Sequence, residues 1–250
     1  MSKSSENSIN LIKFIPSAVT LFALCIGLMA IKYSFEQNWY LATSLLLFAT
    51  VLDAIDGRLA RFLDSTSEFG AELDSLADFV NFGVVPAFII YNWINKFVDI
   101  KGFDLAMVLI YTISMAIRLA RFNIANKDED KHPILDKYFF QGIPSPVAAA
   151  MMMMPLILTF QYGEGYFFND PRIIISYSCV VAICAASTIP TISIKHIPVR
   201  NEYKHLTLLI LGLIIVGLIT EPWITLSTIC LIYIVSILFT IAAYFRITRS

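Results

Sequence analysis

The sequence predicts an all-α membrane protein, a polytopic transmembrane helix bundle of about eight helices. The first observation is that 58% of the 250 residues are hydrophobic and only 15% are charged. Soluble domains carry about 25% charged residues, and a chain this poor in them cannot cover a water-exposed surface. The second observation is that the apolar residues form long runs without period-2 alternation, which argues against a transmembrane β-barrel.

Eight segments are long enough to cross a bilayer. A helix needs about 20 apolar residues to span the hydrocarbon core, and in lipid the backbone groups must bond within their own segment. The segments lie at approximately 15–33, 40–55, 75–95, 104–122, 144–162, 173–193, 205–220 and 223–244. No internal repeat and no linker divides them, so we expect residues 1–250 to form a single membrane domain. The run Met151–Met154 is expected to be plain apolar core, because no metal-binding partner stands near it.

The basic residues predict the orientation of the helices. If the N-terminus is cytoplasmic, 14 of the 18 Lys and Arg residues fall on the cytoplasmic side, and only Lys32, Lys96, Lys101 and Arg172 fall outside. Cytoplasmic loops carry an excess of basic residues, so both termini are predicted to be cytoplasmic. The longest polar connection, at 126–138, lies on this side and is expected to be a solvated loop.

The most informative stretch is DAIDGRLARFLDSTSEFGAELDSLAD, which joins the second and third predicted helices at the cytoplasmic face. Asp53 and Asp56 are three residues apart and Asp74 and Asp78 are four apart, so each pair lies on one helical face. Four unpaired carboxylates near hydrocarbon are costly and repel one another. Mg²⁺, Mn²⁺ or Ca²⁺, which prefer oxygen ligands, resolve both problems. We therefore predict a metal site that holds two ions about 4 Å apart, as in sites that clamp phosphoryl oxygens.

Small and basic residues accompany the carboxylates. Gly57 and Gly70 lack a Cβ, which allows a phosphate or a nucleotide to approach the backbone. Ala60 is small and lies on the same side of its helix as Asp56. Arg61 supplies a cation suited to bidentate phosphate contact. These residue types together predict a substrate with a metal-bridged pyrophosphate.

The spacing of these residues, D-x2-D-G-x2-A-R-x8-G-x3-D-x3-D, resembles the signature of the CDP-alcohol phosphotransferases at every position. The matching residues are Asp53, Asp56, Gly57, Ala60, Arg61, Gly70, Asp74 and Asp78. The resemblance covers about 15–196 and implies a membrane homodimer with a six-helix catalytic core. It also implies two divalent cations, Mg²⁺ or Mn²⁺, and a cytoplasm-facing site that opens laterally to lipid. The two helices at about 205–244 match the family only in kind and are additional to this core.

Further segments resemble the membrane-integral phosphatidylserine synthases within this family. They are LDSLADFVNFGVVPA (73–87), RLARFN (118–123), FQGIPSPVAAA (140–150) and, more weakly, STIPTISIKH (187–196). One position departs, because the family often has Pro-Asn before a threonine, whereas here Ser17 follows Pro16 and Thr20 is retained. The resemblance implies CDP-diacylglycerol and L-serine as substrates, phosphatidylserine and CMP as products, and the lipid bilayer as the environment. No nucleic-acid partner is expected.

The resemblance and the residue chemistry lead to the same assignment of roles. Asp53, Asp56 and Asp74 are expected to be the main metal ligands. Asp78 is expected to touch one ion and to act as the general base for the acceptor hydroxyl. The hydroxyl then attacks the phosphate that carries diacylglycerol, and CMP leaves. A direct attack is predicted, because the cluster contains no obvious Ser, Cys or His nucleophile.

Basic and amide side chains are candidates for binding the acceptor, since the carboxylate of serine requires a cation. Arg118 and Arg121 lie three apart at the cytoplasmic end of the fourth helix, and either one can contact this carboxylate or a substrate phosphate. Positive-inside anchoring is the alternative explanation for both arginines. Asn123 and Gln141 are further candidate polar contacts.

Two other functions stay open on the sequence alone. The first is the same chemistry with glycerol 3-phosphate, inositol or choline as the acceptor, and a phosphorylated acceptor requires more cationic side chains around the third to fifth helices. The second is a divalent-cation transporter. A transporter predicts acidic residues near mid-membrane on several helices, whereas here the acids lie at one face in two adjacent helices.

Overall fold

The computed structural model describes residues 11–96, 102–127, 139–188, 190–192 and 203–247, and these residues are almost entirely helical. The predicted all-α fold class is therefore confirmed. The helices are α1 (Ile15–Phe35), α2 (Trp39–Phe62), α3 (Glu68–Asp78), α4 (Val85–Asn95), α5 (Phe103–Lys127), α6 (Ser145–Tyr162), α7 (Pro171–Ala186), α8 (Lys204–Thr220) and α9 (Pro222–Ile247). A π-helical segment, Phe79–Val84, joins α3 to α4, so that 68–95 run as one helix.

Within the described residues, five helices are long and apolar enough to cross a membrane. They are 15–35, 39–62, 68–95, 103–125 and 145–162, and shorter apolar helices lie at 171–186, 204–220 and 222–237. Helix α8 has no buried residue and exposes leucine and isoleucine on all sides. A helix that is hydrophobic all round fits a lipid environment, so the chain is an integral membrane protein.

The second and third helices extend further than the hydropathy pattern predicts. Helix α2 ends at Phe62 rather than near 55, and α3 begins at Glu68 rather than near 75. A hydropathy window ends where the charged residues begin. A helix continues beyond that point when its polar side chains are hydrogen-bonded or face solvent. The connection between the two helices therefore shrinks to 63–67, and all four aspartates of the signature are helical.

The sixth predicted segment, 173–193, corresponds to α7, which is shorter than predicted. It ends at Ala186 rather than near 193, and Pro190–Ile192 forms a strand (β2) that pairs antiparallel with Phe139–Gln141 (β1). Proline removes a backbone donor and clashes with the preceding helical turn, which explains the helix end before Pro190. Residues 128–138 of the predicted polar loop lie outside the described residues.

Helix α1 packs on the bundle through a stripe of small residues. Its buried positions are Pro16, Thr20, Ala23, Gly27, Ala30 and Ser34. Small side chains let transmembrane helices approach closely and make interhelical polar contacts. The stripe includes one such contact far from the aspartates, where the Asn92 amide donates to Ser34 Oγ at 2.7 Å.

The bundle core lies between α4, α5 and α6. Trp93, Tyr111 and Met152 are among its largest fully buried side chains, and the whole run Met151–Met154 is buried, as expected for apolar core. Tyr111 also donates its hydroxyl to the Phe82 carbonyl at 2.9 Å. A π-helical turn leaves its carbonyls without the usual α-helical donors, so this bond helps to hold the turn between α3 and α4.

Candidate active site

A tight turn between α2 and α3 brings the two pairs of aspartates together. In the connection after α2, the Asp64 backbone has a positive φ (46°), a conformation that aspartate tolerates better than most residues. Ser67 then caps α3, since its hydroxyl accepts from the Gly70 amide at 3.0 Å. The cap and the turn together set the orientation of the last turns of α2 relative to the first turns of α3.

Three of the four aspartates converge. Asp53, Asp56 and Asp74 each place one carboxylate oxygen within 4.8 Å of the others. Asp56 is only 2% exposed, and the other two are half-buried. Three like charges at this separation repel strongly when they are partly removed from water, so the cluster requires a cation or protons.

Asp78 adjoins this cluster without being one of the three. It lies one turn after Asp74 on α3, and its side chain is a hydrogen-bonding neighbour of Asp53. Its Oδ1 atom is buried and has no hydrogen-bond partner in the part of the chain that the structure describes. Arg118 on α5 is close enough to interact electrostatically with it. Asp78 therefore connects the three converging carboxylates to α5.

Thr20 on α1 is a site residue for which the sequence analysis gave no role. Its hydroxyl lies 2.6 Å from Asp56 Oδ2 and 3.1 Å from the Pro16 carbonyl, in a buried position. The shorter contact is a charge-assisted hydrogen bond that orients the most buried carboxylate of the three. A polar residue within the buried stripe of α1 is the signal that could have identified it.

Replacing Thr20 by valine is expected to raise the divalent-cation concentration for half-maximal activity by ~10–100-fold, because groups that orient metal ligands contribute this much to affinity or activity. Thr20→Ser should restore most of the loss, since the hydroxyl is retained. Thr43→Val is the matched control, because Thr43 is equally buried but bonds only the Trp39 carbonyl on α2. Unchanged metal dependence in Thr20→Val would show that Asp56 does not need this bond.

The small and basic residues of the signature surround the open side of the cluster. A Cβ added at Gly57 would meet no atom within 4 Å among the described residues. A Cβ at Gly70 would lie 3.1 Å from Ser67 Oγ and 3.7 Å from Ser17 Oγ. Arg61 is exposed and donates its Nε to the Gly57 carbonyl at 3.0 Å, and Ala60 is half-buried beside it. Space for a substrate is thus open at the Gly57 end of α2.

The two arginines of α5 make structural contacts that their sequence positions did not predict. Arg118 donates its Nε to the Ile143 carbonyl at 2.5 Å and its Nη1 to Ser145 Oγ. Arg121 donates its Nη2 to the Ser187 carbonyl at 3.0 Å. These bonds attach the C-terminal part of α5 to the start of α6 and the end of α7.

Asn123, the third candidate for acceptor binding, lies on another side of α3. It exchanges hydrogen bonds with Ser75 at 3.0 and 3.3 Å. Together with Glu72, Ser75, Leu76, Phe79, Ala116 and Leu119 it lines an open groove of about 220 Å³ between α3 and α5. None of the four aspartates lines this groove.

The converging carboxylates fit a hard divalent cation. The donor set consists of oxygen atoms only, which suits Mg²⁺, Mn²⁺ or Ca²⁺. Asp56 Oδ1 is buried and finds no hydrogen-bond donor among the residues described. A buried oxygen without a partner costs free energy, and a bound cation removes that cost. Asp53, Asp56 and Asp74 are thus able to hold a metal ion together.

Comparison with known proteins gives consistent matches. Residues 13–189 match the family model described as CDP-alcohol phosphatidyltransferase, and 204–237 match CDP-alcohol phosphatidyltransferase 2. A relative from Mycobacterium tuberculosis is 34% identical over 231 residues, 92% of this chain and 79% of the relative. One from Helicobacter pylori is 32% identical over 210 residues, 83% of this chain and 84% of the relative. One from Bacillus subtilis is 34% identical over 150 residues, 60% of this chain and 77% of the relative. All three are named CDP-diacylglycerol–serine O-phosphatidyltransferase.

Proposed function

Because this chain belongs to the CDP-alcohol phosphatidyltransferase family and is a membrane-integral phosphatidyltransferase, we propose that it transfers the phosphatidyl group of CDP-diacylglycerol to L-serine. The products are phosphatidylserine and CMP. The observation that carries this proposal is the convergence of Asp53, Asp56 and Asp74 beside the open face of Gly57. The choice of serine is supported by the names of the relatives from Mycobacterium tuberculosis and Helicobacter pylori.

The metal ligands in this proposal are Asp53, Asp56 and Asp74, with Asp78 as an additional ligand to one of two ions, Mg²⁺ or Mn²⁺. The family depends on divalent cations, and the buried oxygen of Asp56 is consistent with one. When bound, the ions supply positive charge that stabilises phosphoryl oxygens and the departing CMP. Thr20 keeps Asp56 in the orientation that this role requires.

Asp78 is the proposed general base. A carboxylate oxygen of Asp78 accepts the proton of the serine hydroxyl, and the hydroxyl oxygen forms a bond to the phosphorus that carries diacylglycerol. The bond from that phosphorus to the oxygen of CMP breaks, and CMP leaves with the electron pair. Asp78 then returns its proton to solvent. The direct attack balances atoms and charge without a covalent enzyme intermediate.

The CDP moiety and its pyrophosphate are proposed to lie along α2 and the start of α3. Gly57, Ala60 and Gly70 leave the backbone accessible there, and Arg61 is exposed beside Gly57. A guanidinium that already bonds the Gly57 carbonyl through Nε keeps its two terminal nitrogens for phosphate oxygens. Binding of the nucleotide thus needs few side-chain movements.

Arg118 and Arg121 are proposed to supply the positive charge for the serine carboxylate. Their hydrogen bonds to α6 and α7 hold them in place, and Arg118 interacts with Asp78. Arg121 Nε is buried and has no hydrogen-bond partner in the described structure, so it is the donor we assign to the carboxylate. Asn123 is proposed as a polar contact near the path by which the acceptor reaches the site. Its position is set by its hydrogen bonds with Ser75.

The proposed setting is a homodimer of single-domain chains in the bilayer, with the active site and both termini on the cytoplasmic side. The excess of basic residues on the side of the aspartates supports this orientation. The two C-terminal helices, α8 and α9, are added to the catalytic core. The family membership of the chain removes the basis for the cation-transporter alternative. The acceptor panel described next distinguishes serine from the alternative acceptors.

An acceptor panel tests the proposed function. Purified protein in detergent, given CDP-diacylglycerol and Mg²⁺ or Mn²⁺, is expected to release CMP with L-serine but not with glycerol 3-phosphate, inositol or choline. Chelation of the metal is expected to abolish release. Metal-dependent release with another acceptor would retain the aspartate chemistry and replace serine as the substrate. An absence of release with all four acceptors, in folded protein, would contradict the proposal.

A further inference from the structure

Asn81 is a buried amide that the proposed mechanism does not use. It lies in the π-helical segment Phe79–Val84, and none of its surface is exposed. Neither its Nδ2 nor its Oδ1 has a hydrogen-bond partner among the residues that the structure describes. By contrast, the buried amide of Asn169 is paired, since its Oδ1 accepts from the Thr159 hydroxyl at 2.7 Å and its Nδ2 donates to the Gly163 carbonyl at 3.3 Å. Asn81 thus has both a donor and an acceptor to offer inside the protein.

An unpaired buried amide is unfavourable for folding. Leaving such a group without a partner costs ~1–3 kcal/mol, and an apolar side chain of the same shape avoids that cost. A residue that lowers stability in this way requires an explanation other than folding. Residues that lower stability in this way are expected at functional sites.

Helix α1 makes room for this amide. A Cβ added at Gly27 would lie 2.1 Å from Asn81 Oδ1 and 3.1 Å from its Cγ, so only glycine admits the side chain in its present position. Gly27 belongs to the same buried stripe of α1 as Thr20, which bonds Asp56. The buried stripe of α1 therefore orients Asp56 through Thr20 and, further along the helix, leaves space for Asn81 at Gly27.

Asp78 has the complementary unpaired atom. Its Oδ1 is buried and unpartnered within the described ranges, and Asp78 precedes Asn81 by three residues on the same continuous helix. A turn closed by i→i+5 bonds spans both residues, so Asp78 and Asn81 lie within one helical turn of each other. An unpaired acceptor on Asp78 and an unpaired donor, Asn81 Nδ2, are therefore separated by no more than one helical turn. The opposite side of the π-helical turn is fixed by the bond from Tyr111 to the Phe82 carbonyl.

We propose that Asn81 is a positioning residue for phosphatidyl transfer, whose amide donates to Asp78 Oδ1 in the reacting complex and holds the carboxyl group in the orientation that accepts the acceptor's proton. The proposal rests on the general-base role of Asp78 in the proposed function. Gly27 contributes to this arrangement, because it leaves the space on α1 that the Asn81 amide occupies.

The test is Asn81→Leu, assayed for CMP release at varied serine and CDP-diacylglycerol and for thermal unfolding in detergent. We expect kcat to fall ~10-fold or more, the effect of one hydrogen bond to a charged group. KM for each substrate should stay within about twofold of the wild-type value, and the unfolding temperature should be equal or higher. A residue that only stabilises the fold cannot give lower kcat together with higher stability.

Asn92→Leu is the control at an amide that is half-buried and paired. Asn92 lies on α4 and is paired with Ser34, so its replacement leaves a hydroxyl without its donor and should lower the unfolding temperature while kcat per folded molecule is unchanged. Asn81→Ala provides a smaller variant in case leucine does not fit, with the same expected loss of kcat. Gly27→Ala should also lower kcat, and it should add little to Asn81→Ala, because both changes remove the same contact.

The outcomes separate this inference from the proposed function. Wild-type protein without serine-dependent CMP release contradicts the proposed function itself. Active wild type together with Asn81→Leu and Asn81→Ala whose kcat is within twofold of the wild-type value overturns the inference alone. A fall in kcat accompanied by a lower unfolding temperature and a higher KM for both substrates also overturns it, because general loosening of the site then explains the loss.

Discussion

Replacing Asp74 by asparagine is expected to reduce serine-dependent CMP release by at least ~10³-fold, because metal-based stabilisation of a phosphoryl transition state amounts to several kcal/mol. Asp74 is the one member of the converging three that comes from α3, whereas Asp53 and Asp56 both come from α2. An asparagine keeps the shape and removes the charge. The site then lacks the ligand that bridges the two helices.

The same variant should remain folded and inserted. Removing one of three close like charges relieves repulsion in the metal-free protein, so its unfolding temperature without metal should not fall. The rise in unfolding temperature that Mn²⁺ gives the wild type should be lost, since binding to the native state stabilises it. Glu68→Gln is the matched control, because Glu68 is an exposed carboxylate in the first turn of the same helix. Full activity in Asp74→Asn would remove the metal-assisted mechanism.

Replacing Asp78 by asparagine should lower kcat by ~10²–10⁴-fold, the usual contribution of a general base. Asp78 is placed beside Asp53 but outside the converging three, so metal binding should largely survive. The expected pattern is a retained Mn²⁺-induced rise in unfolding temperature together with lost turnover. Asp74→Asn, which loses both, is the internal comparison. Turnover within tenfold of the wild type would show that another group accepts the proton.

The sequence was sufficient to predict the carboxylate site because spacing along a helix determines which residues share a face. Asp53 with Asp56, and Asp74 with Asp78, required only helical geometry. Their convergence across two helices required the charge argument, since neighbouring carboxylates at one membrane depth need a common cation. The structure confirms the all-helical bundle and brings three of the four aspartates within reach of one ion.

Other features could not be predicted, because they depend on contacts between distant segments. The bond from Thr20 to Asp56 joins residues 36 positions apart, and the polar position on α1 does not by itself identify Asp56 as its partner. The hydrogen bonds of Arg118 to Ile143 and Ser145 arise only once α5 packs against the start of α6. Hydropathy windows also end at charged residues, so they could not show that α2 and α3 continue as helices through the signature.

Quantifying both products of one reaction is the most direct test of the central claim. Purified protein with CDP-diacylglycerol, L-serine and Mn²⁺ should form phosphatidylserine, measured by mass spectrometry of the lipid extract, in an amount equal to the CMP released. Neither product should form when serine or metal is omitted. CMP accompanied by phosphatidic acid instead of phosphatidylserine would show hydrolysis by water and would contradict transfer to serine at this site.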